Sequence, residues 1–390
     1  MSNETMTSDG SSVQLGDKYT MHRPLASGGA ARIFLARQIA LDRDVVVKVL
    51  RRQLSTQSEF CERFVQEARL LARLEHPNIV QIIDFGEQEG FYYFVMEYVR
   101  GGTLRDLLER ADEIPIDVSL AIAYFVARGL NYVHGHNVLH LDVKPGNILL
   151  TREGIVKVAD FGLARLIDGH KQEISGRDRP AGTPLYMSPE QVQGSSLDAR
   201  SDIFSFGILL HQVLLLQNPF AGRSTDEVYR KILTCRVDRP SAQRSEIPSF
   251  VDDIVIACLQ RDRSMRYGNL DSLIGDLHSA LEKLGVHRPE ERVTRYLADP
   301  NHYRSVLKKS SKTPLARKVS GKRRLRLKLI IALILAGSLL VMESWGLTKF
   351  GELLRWRRSH GLVEMPGTGD SESDGRSIPL EGGLGESLQD

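Results

Sequence analysis

The chain has 390 residues, 42% of them hydrophobic and 26% charged, with a formal net charge of only +3. That length exceeds one average domain, and the apolar share is enough for a large core, so a wholly disordered or fibrous chain is excluded. The near-neutral total hides a split: residues 303–328 hold eleven Lys or Arg and no acid, whereas 359–390 hold seven Asp or Glu and one Arg. Segregated charge of this kind points to a contact with a membrane or a polyanion. The three cysteines, Cys61, Cys235 and Cys258, lie far apart without metal-ligand spacing and read as buried free thiols in a reducing compartment.

In chain order, residues 1–18 are rich in Ser, Thr, Gly and Asn, carry no hydrophobic stretch of signal-peptide type, and are expected to be disordered and uncleaved. Tyr19 to Leu50 is strand-like, with β-branched runs around Ile33 and at Val45–Val49. A helical pattern over Glu59–Leu74 ends at His76-Pro77-Asn78, and strands at Ile79–Phe85 and Phe91–Tyr98 follow. After Gly101-Gly102 the periodicity turns helical at Leu104–Arg110, Ser119–His134, Ser201–Leu216, Thr225–Cys235, Ser249–Gln260 and Asn269–Leu284. A strand-rich lobe followed by a helix-rich lobe is an α+β arrangement.

Beyond this, 287–328 reads as a basic connector. Leu329–Met342 is uncharged for fourteen residues, and accepting Glu343 extends the segment to Leu347, nineteen in all. Nineteen residues are enough to span a bilayer, so 329–347 is expected to be a transmembrane helix. Nine Lys or Arg in the twenty residues before it and four in the twenty after it place the preceding part in the cytoplasm. The basic flank at 304–328 suits anionic lipid headgroups, and no aromatic pattern supports nucleic-acid binding. Residues 348–390 read as a short disordered tail.

The most telling stretch is 140–162, HLDVKPGNILLTREGIVKVADFG. It carries two separated carboxylates, Asp142 and Asp160, with Lys144 and Asn147 between them. Phosphoryl transfer needs such a set: a carboxylate to orient the acceptor, hard oxygens for a metal, and a cation for the moving phosphate. Upstream, Lys48 ends the apolar run Val45-Val46-Val47, and Glu67 stands nineteen residues later in a helical pattern. Taken alone, Lys48 would be a solvated strand end and Glu67 a surface carboxylate; their company makes the case.

These motifs resemble the eukaryotic-type (Hanks-type) serine/threonine protein kinases, which carry H-R-D-x-x-x-x-N, D-F-G and V-A-I-K signatures. The resemblance covers residues 19–284, and is strongest toward bacterial, membrane-anchored members. It implies a bilobal kinase fold, a domain over 19–286, and ATP with Mg²⁺ as cofactors. It makes Asp142 the catalytic base, Lys144 the stabiliser of the transferring phosphate, and Asn147 and Asp160 the metal ligands. It pairs Lys48 with Glu67, places Met96, Glu97 and Val99 at the adenine-binding hinge, and sandwiches the ring among Ile33, Val46 and Leu149. The glycine-rich loop is degenerate: over Ala26-Ser27-Gly28-Gly29-Ala30-Ala31-Arg32-Ile33 only Gly28 is in register, beside Gly29, and Ala26 takes the first glycine's place.

The resemblance also gives His140 a buried structural role against Phe161, pairs Glu190 with Arg266, brings Thr183 to Asp142 and Lys144, and makes Asp202 a brace for the catalytic loop. One departure is marked. Leu141 stands where the family has an arginine that binds a phosphate on the activation segment, and Ser175 is the only hydroxyl residue between Gly162 and Gly182. Phosphorylation of that segment is therefore not expected to be the main switch. The rival reading is a pseudokinase scaffold, favoured by the altered glycine loop and opposed by the intact Lys48, Glu67, Asp142, Asn147 and Asp160.

Overall fold

A computed structural model describes residues 14–27, 31–51, 61–62, 65, 68–69, 72–160, 165–166 and 184–312. Of the segments expected at 1–18, 287–328, 329–347 and 348–390, residues 1–13 and 313–390 lie outside the described residues, as do Gly28, Gly29, Glu67, Phe161, Ser175 and Thr183. Gln14–Leu15, expected to be disordered, instead forms a short strand paired with Tyr19 and Thr20.

The small lobe is built from β1 (Gln14–Leu15), β2 (Tyr19–Ser27), β3 (Ala31–Gln38), β4 (Arg43–Leu50), β5 (Ile82–Gln88) and β6 (Phe91–Glu97). They form one antiparallel sheet in the order β1-β2-β3-β4-β6-β5. Side chains on a strand alternate between faces. Along β4, Val45 and Val47 therefore enter a core with Tyr19, Phe34 and Val95. Val46 and Lys48 point the other way. The β5–β6 hairpin turns on Glu89 and Gly90, both at positive φ (52° and 78°), as a two-residue loop matched to strand twist requires.

β7 (Gly101–Thr103) leads into α1 (Leu104–Arg110), whose start is sealed by a reciprocal capping box between Thr103 and Asp106. α2 (Ile116–His134), β8 (Val138–Leu139), β9 (Ile148–Thr151), β10 (Val156–Val158) and β11 (Arg165–Leu166) follow. The helices α3 (Pro189–Gln193), α4 (Ala199–Leu215), α5 (Thr225–Thr234), α6 (Ser249–Cys258) and α7 (Leu270–Lys283) complete the expected large lobe. α2 and α4 are its axis. Val118, Ile122, Val126, Leu130 and Val133 of α2 are fully buried, as are Ile203, Phe204 and Phe206 of α4. By length and composition α2 could cross a bilayer, but its burial within this lobe makes it a core helix.

Two further expectations differ from what is observed. The strand expected at Ile79–Phe85 begins instead at Ile82. Asn78, Ile79 and Val80 dock onto the large lobe: Val80 N–H donates to the Val158 carbonyl at 3.0 Å, and Val158 N–H to that of Asn78 at 2.8 Å. The Asn78 amide also donates to the Val156 carbonyl at 2.8 Å. Local β propensity was satisfied by β10 rather than by the small-lobe sheet.

The second difference is larger. Where 287–328 reads as a connector, α8 (Pro289–Ala298) and α9 (Pro300–Lys312) continue the fold. Val293 is fully buried and Tyr296 nearly so. Tyr296 Oη donates to the Glu113 carbonyl at 3.1 Å, and Tyr303 Oη to Asp117 Oδ2 at 2.6 Å. The packed lobe thus runs past residue 286. A few apolar and aromatic anchors on otherwise polar helices accomplish this, which a reading dominated by charge passes over.

Candidate active site

A cavity of about 360 Å³ separates the two lobes. Of the residues expected around a nucleotide, Ala26, Ile33, Val46, Lys48, Met96, Glu97, Val99, Leu149, Asn147 and Asp160 all line it. Leu25, Val80 and Ala159 line it too and were not anticipated. Val80 reaches the cavity because its strand pairing is with β10; Ala159 adjoins the expected metal-binding Asp160. The wall is mainly apolar, as a site for a flat ring requires.

Lys48 is a buried cation lining this cavity. β4 holds it opposite Ile33 on β3 and Phe94 on β6, its ammonium lies 5.1 Å from the Phe94 ring centre, and the residue is 7% exposed. Nζ donates to Asp160 Oδ1 at 2.8 Å, bridging the lobes. Desolvation would raise the Asp160 carboxyl, but the charge and hydrogen bond of Lys48, with a contribution from Lys144, hold it below the usual carboxylate value. Asp160 is therefore an anion at neutral pH. Its backbone has φ 57°, a left-handed conformation that an aspartate tolerates better than most residues.

The second cluster gathers around Asp142. Lys144 Nζ donates to Asp142 Oδ2 at 2.5 Å. Asn147 Nδ2 donates to the same oxygen and to the Asp142 carbonyl, each at 2.9 Å, and to the Asp160 carbonyl at 3.4 Å. Residues 140–147 form a loop ending in a short 3₁₀ turn, Pro145–Asn147, in which Pro145 presets the first dihedral. Asn147 therefore ties the two carboxylate-bearing loops together.

What holds this loop is buried. His140 is fully enclosed. Its Nδ1 accepts from Asp142 N–H at 3.2 Å and its Nε2–H donates to the Ala159 carbonyl at 3.2 Å. Those bonds require the neutral ring, and burial pulls its pKa below the ordinary histidine value. Its role here is structural.

Asp202, at the start of α4 and fully buried, accepts from His140 N–H at 2.8 Å and Leu141 N–H at 2.7 Å, and pairs with His134 Nε2 at 2.8 Å. Desolvation opposes its ionisation, but His134 and these donors overcome it and keep the carboxyl below its usual value. The brace is needed because Leu141 has φ 61°, a conformation costing a bulky residue about 1–3 kcal/mol.

Glu190 and Arg266 make a buried fork, Nη1–Oε1 2.7 Å and Nη2–Oε2 3.0 Å. The other guanidinium N–H groups donate to the carbonyls of Gln260, Arg200 and Arg261, and the plane lies 4.7 Å from the Phe204 ring centre. Ser201 Oγ donates to Glu190 Oε1 at 2.7 Å. Glu97, expected at the hinge, forms an ion pair with Lys157 at 2.7 Å. Cys61 and Cys258 are buried and Cys235 is half-buried.

The donor set fits a nucleotide with a hard metal ion. Asp160 and Asn147 offer oxygens beside the Lys48 ammonium in one cavity. Among the described residues no group of three or more His, Cys, Asp or Glu could form a metal cage by itself. Mg²⁺ needs none, because it is commonly held by one or two protein oxygens together with phosphates and water.

Comparison with known proteins agrees with this geometry. The family model for the protein kinase domain matches residues 19–277. Similar proteins include the serine/threonine-protein kinase PknB of Mycolicibacterium smegmatis, 36% identical over 73% of this chain and 47% of its own length. PrkC of Bacillus subtilis, also a serine/threonine-protein kinase, is 34% identical over 69% of this chain and 41% of its own. A probable serine/threonine-protein kinase of Clostridium perfringens is 36% identical over 67% and 38%. The chain thus spans less than half the length of these relatives. With its two lobes, its cleft and the matched domain, the chain belongs to the protein kinase family, among the Hanks-type bacterial serine/threonine kinases.

Proposed function

We propose that this chain transfers the γ-phosphoryl group of ATP to serine or threonine hydroxyls of proteins. The observation that carries this reading is the meeting of Lys48, Asp160 and Asn147, drawn from both lobes, around one cavity, with Asp142 hydrogen-bonded to Asn147 beside it. A set held this closely suits catalysis by positioning and electrostatics, which is most of what phosphoryl transfer asks of a protein.

When bound, ATP supplies the phosphoryl group and Mg²⁺ neutralises charge on the phosphates. Asn147 and Asp160 would hold the metal. Lys48 would orient the nucleotide's phosphates; the resemblance gives Glu67 the pairing with Lys48 and gives Gly28 and Gly29 the close approach to the phosphates. Ile33, Val46 and Leu149 pack the base, and Met96, Glu97 and Val99 form its hinge. Asp142 accepts the proton of the incoming hydroxyl at its carboxylate, and Lys144 offsets charge on the group in transit. The pseudokinase reading has less support, since every side chain the chemistry needs is present in the sequence.

The kinase domain includes the matched residues 19–277. The segment 329–347 tethers it to a membrane with the catalytic part in the cytoplasm, and 304–328 contacts anionic lipid; the apolar run and its flanking charge asymmetry support this. Incubating the purified chain with Mg²⁺-ATP and a generic basic protein tests the reaction. Acid-stable phosphoserine or phosphothreonine is expected, and the absence of both contradicts it.

A further inference from the structure

Leu141 is held at both ends of its backbone. Its N–H is fixed by Asp202, and its carbonyl accepts a hydrogen bond from Gln191 Nε2 at 3.0 Å. Gln191 belongs to α3, and the other end of its amide is engaged as well: Oε1 accepts from Ser188 N–H at 2.8 Å, while Gln191 N–H donates to Ser188 Oγ at 3.3 Å. The neighbouring Glu190 is locked to Arg266. The donor that reaches Leu141 thus stands on a platform fixed by a buried ion pair.

The Leu141 carbonyl belongs to the peptide that leads into Asp142. Rotation of the 141–142 peptide, which changes ψ of Leu141 and φ of Asp142, is what the bond to this carbonyl resists. Such a rotation would turn Asp142 away from Lys144 and Asn147. In family members with arginine here, a phosphorylated activation segment secures the loop through that side chain. Leucine has no donor to offer.

We infer that Gln191 is a positioning residue for Asp142: its amide bond to the Leu141 carbonyl holds the catalytic loop in its working conformation without a phosphorylated activation segment. This rests on the function proposed above.

Gln191→Glu separates the two duties of the side chain. A glutamate still accepts from Ser188 N–H, completing the capping box and keeping α3, but it presents no donor to the Leu141 carbonyl. Expected for Gln191→Glu is a kcat lower by about tenfold or more, with the ATP KM within about twofold and an unchanged melting temperature. Hydrogen exchange in the full chain should be about tenfold faster in a peptide covering 139–143. Phosphatase-treated wild type should keep its rate to within about twofold.

An unchanged kcat in an active enzyme, or unchanged exchange in that peptide, overturns the inference. So does a loss of thermal stability and ATP affinity in step with the rate, because that marks a merely structural role. A wild type that loses more than about tenfold on phosphatase treatment overturns the phosphate-independent hold. The exchange readout needs no turnover. Faster exchange in Gln191→Glu, beside a wild type that transfers no phosphate, would uphold the tie and refute the proposed function instead.

Discussion

Lys48 and Asp160 meet across the cleft at 2.8 Å, so one hydrogen-bonded ion pair joins a strand of the small lobe to a loop of the large one. The ammonium holds the Asp160 carboxylate ionised, as the proposed carboxylate ligand for Mg²⁺ must be. Asp160→Asn is therefore expected to remove the Mg²⁺-dependent part of ADP binding, about tenfold in affinity. Calorimetry with and without Mg²⁺ checks this, and an undiminished Mg²⁺ effect in the variant would count against it.

The Glu190–Arg266 fork is fully desolvated on the arginine side. Removing one partner of a buried pair leaves an uncompensated charge. Arg266→Met should cost about 3–5 kcal/mol of stability, measured by denaturant unfolding. Arg266→Lys should recover little, because an ammonium cannot reproduce the five-donor fork. A loss below about 1 kcal/mol would show the pair to be dispensable.

Buried histidines set an acid limit on stability. His211 is 2% exposed, donates from Nδ1 to the Gln217 carbonyl at 3.1 Å, and burial lowers its pKa from the ordinary 6.5. Below that value the unfolded chain binds a proton that the folded chain resists. Its contribution is thus fully present above about pH 6.5 and is lost as pH falls toward the folded pKa. His140 adds to the same window, whereas the depressed carboxyls of Asp202 and Glu190 act only below the usual carboxylate range, near pH 4. Between about pH 7 and 5.5, His211→Gln should show a shallower fall in melting temperature than wild type. Parallel curves would contradict this.

Helices α8 and α9 are expected to be part of the stable lobe. A chain ending at residue 286 loses the buried Val293 and Tyr296 and the Tyr303–Asp117 bond. It should be less stable than one ending at 312 by about 3 kcal/mol or more, from apolar burial alone. Equal melting temperatures would mean these helices contribute no stabilisation.

Much of this was legible before any coordinates. α1 spans Leu104–Arg110 as expected, because Gly101-Gly102, a capping threonine and apolar residues at helical spacing agree with one another. Asp142, Asn147 and Asp160 converge because short loops between β8, β9 and β10 leave them little freedom. Glu190–Arg266 and the Asp202 brace were anticipated from the family resemblance rather than from spacing.

Other features escaped notice for physical reasons. Ile79 and Val80 have the composition of a strand and pair with a single residue of the other lobe. The helices over 289–312 bury few anchors among many charges, so composition outweighs periodicity there. Gln191 reads as a polar helix residue; only its bond to the Leu141 carbonyl, invisible in a sequence, shows why its amide matters.

The central claim is that one cleft assembles a phosphotransferase around Asp142 and Lys48. The most direct measurement is transfer of labelled phosphate from ATP to the chain itself and to a generic basic protein, with wild type, Asp142→Asn and Lys48→Met compared in parallel. Wild type should label both on serine or threonine, and each variant should be slower by about a hundredfold or more. Equal incorporation in all three preparations would contradict the claim.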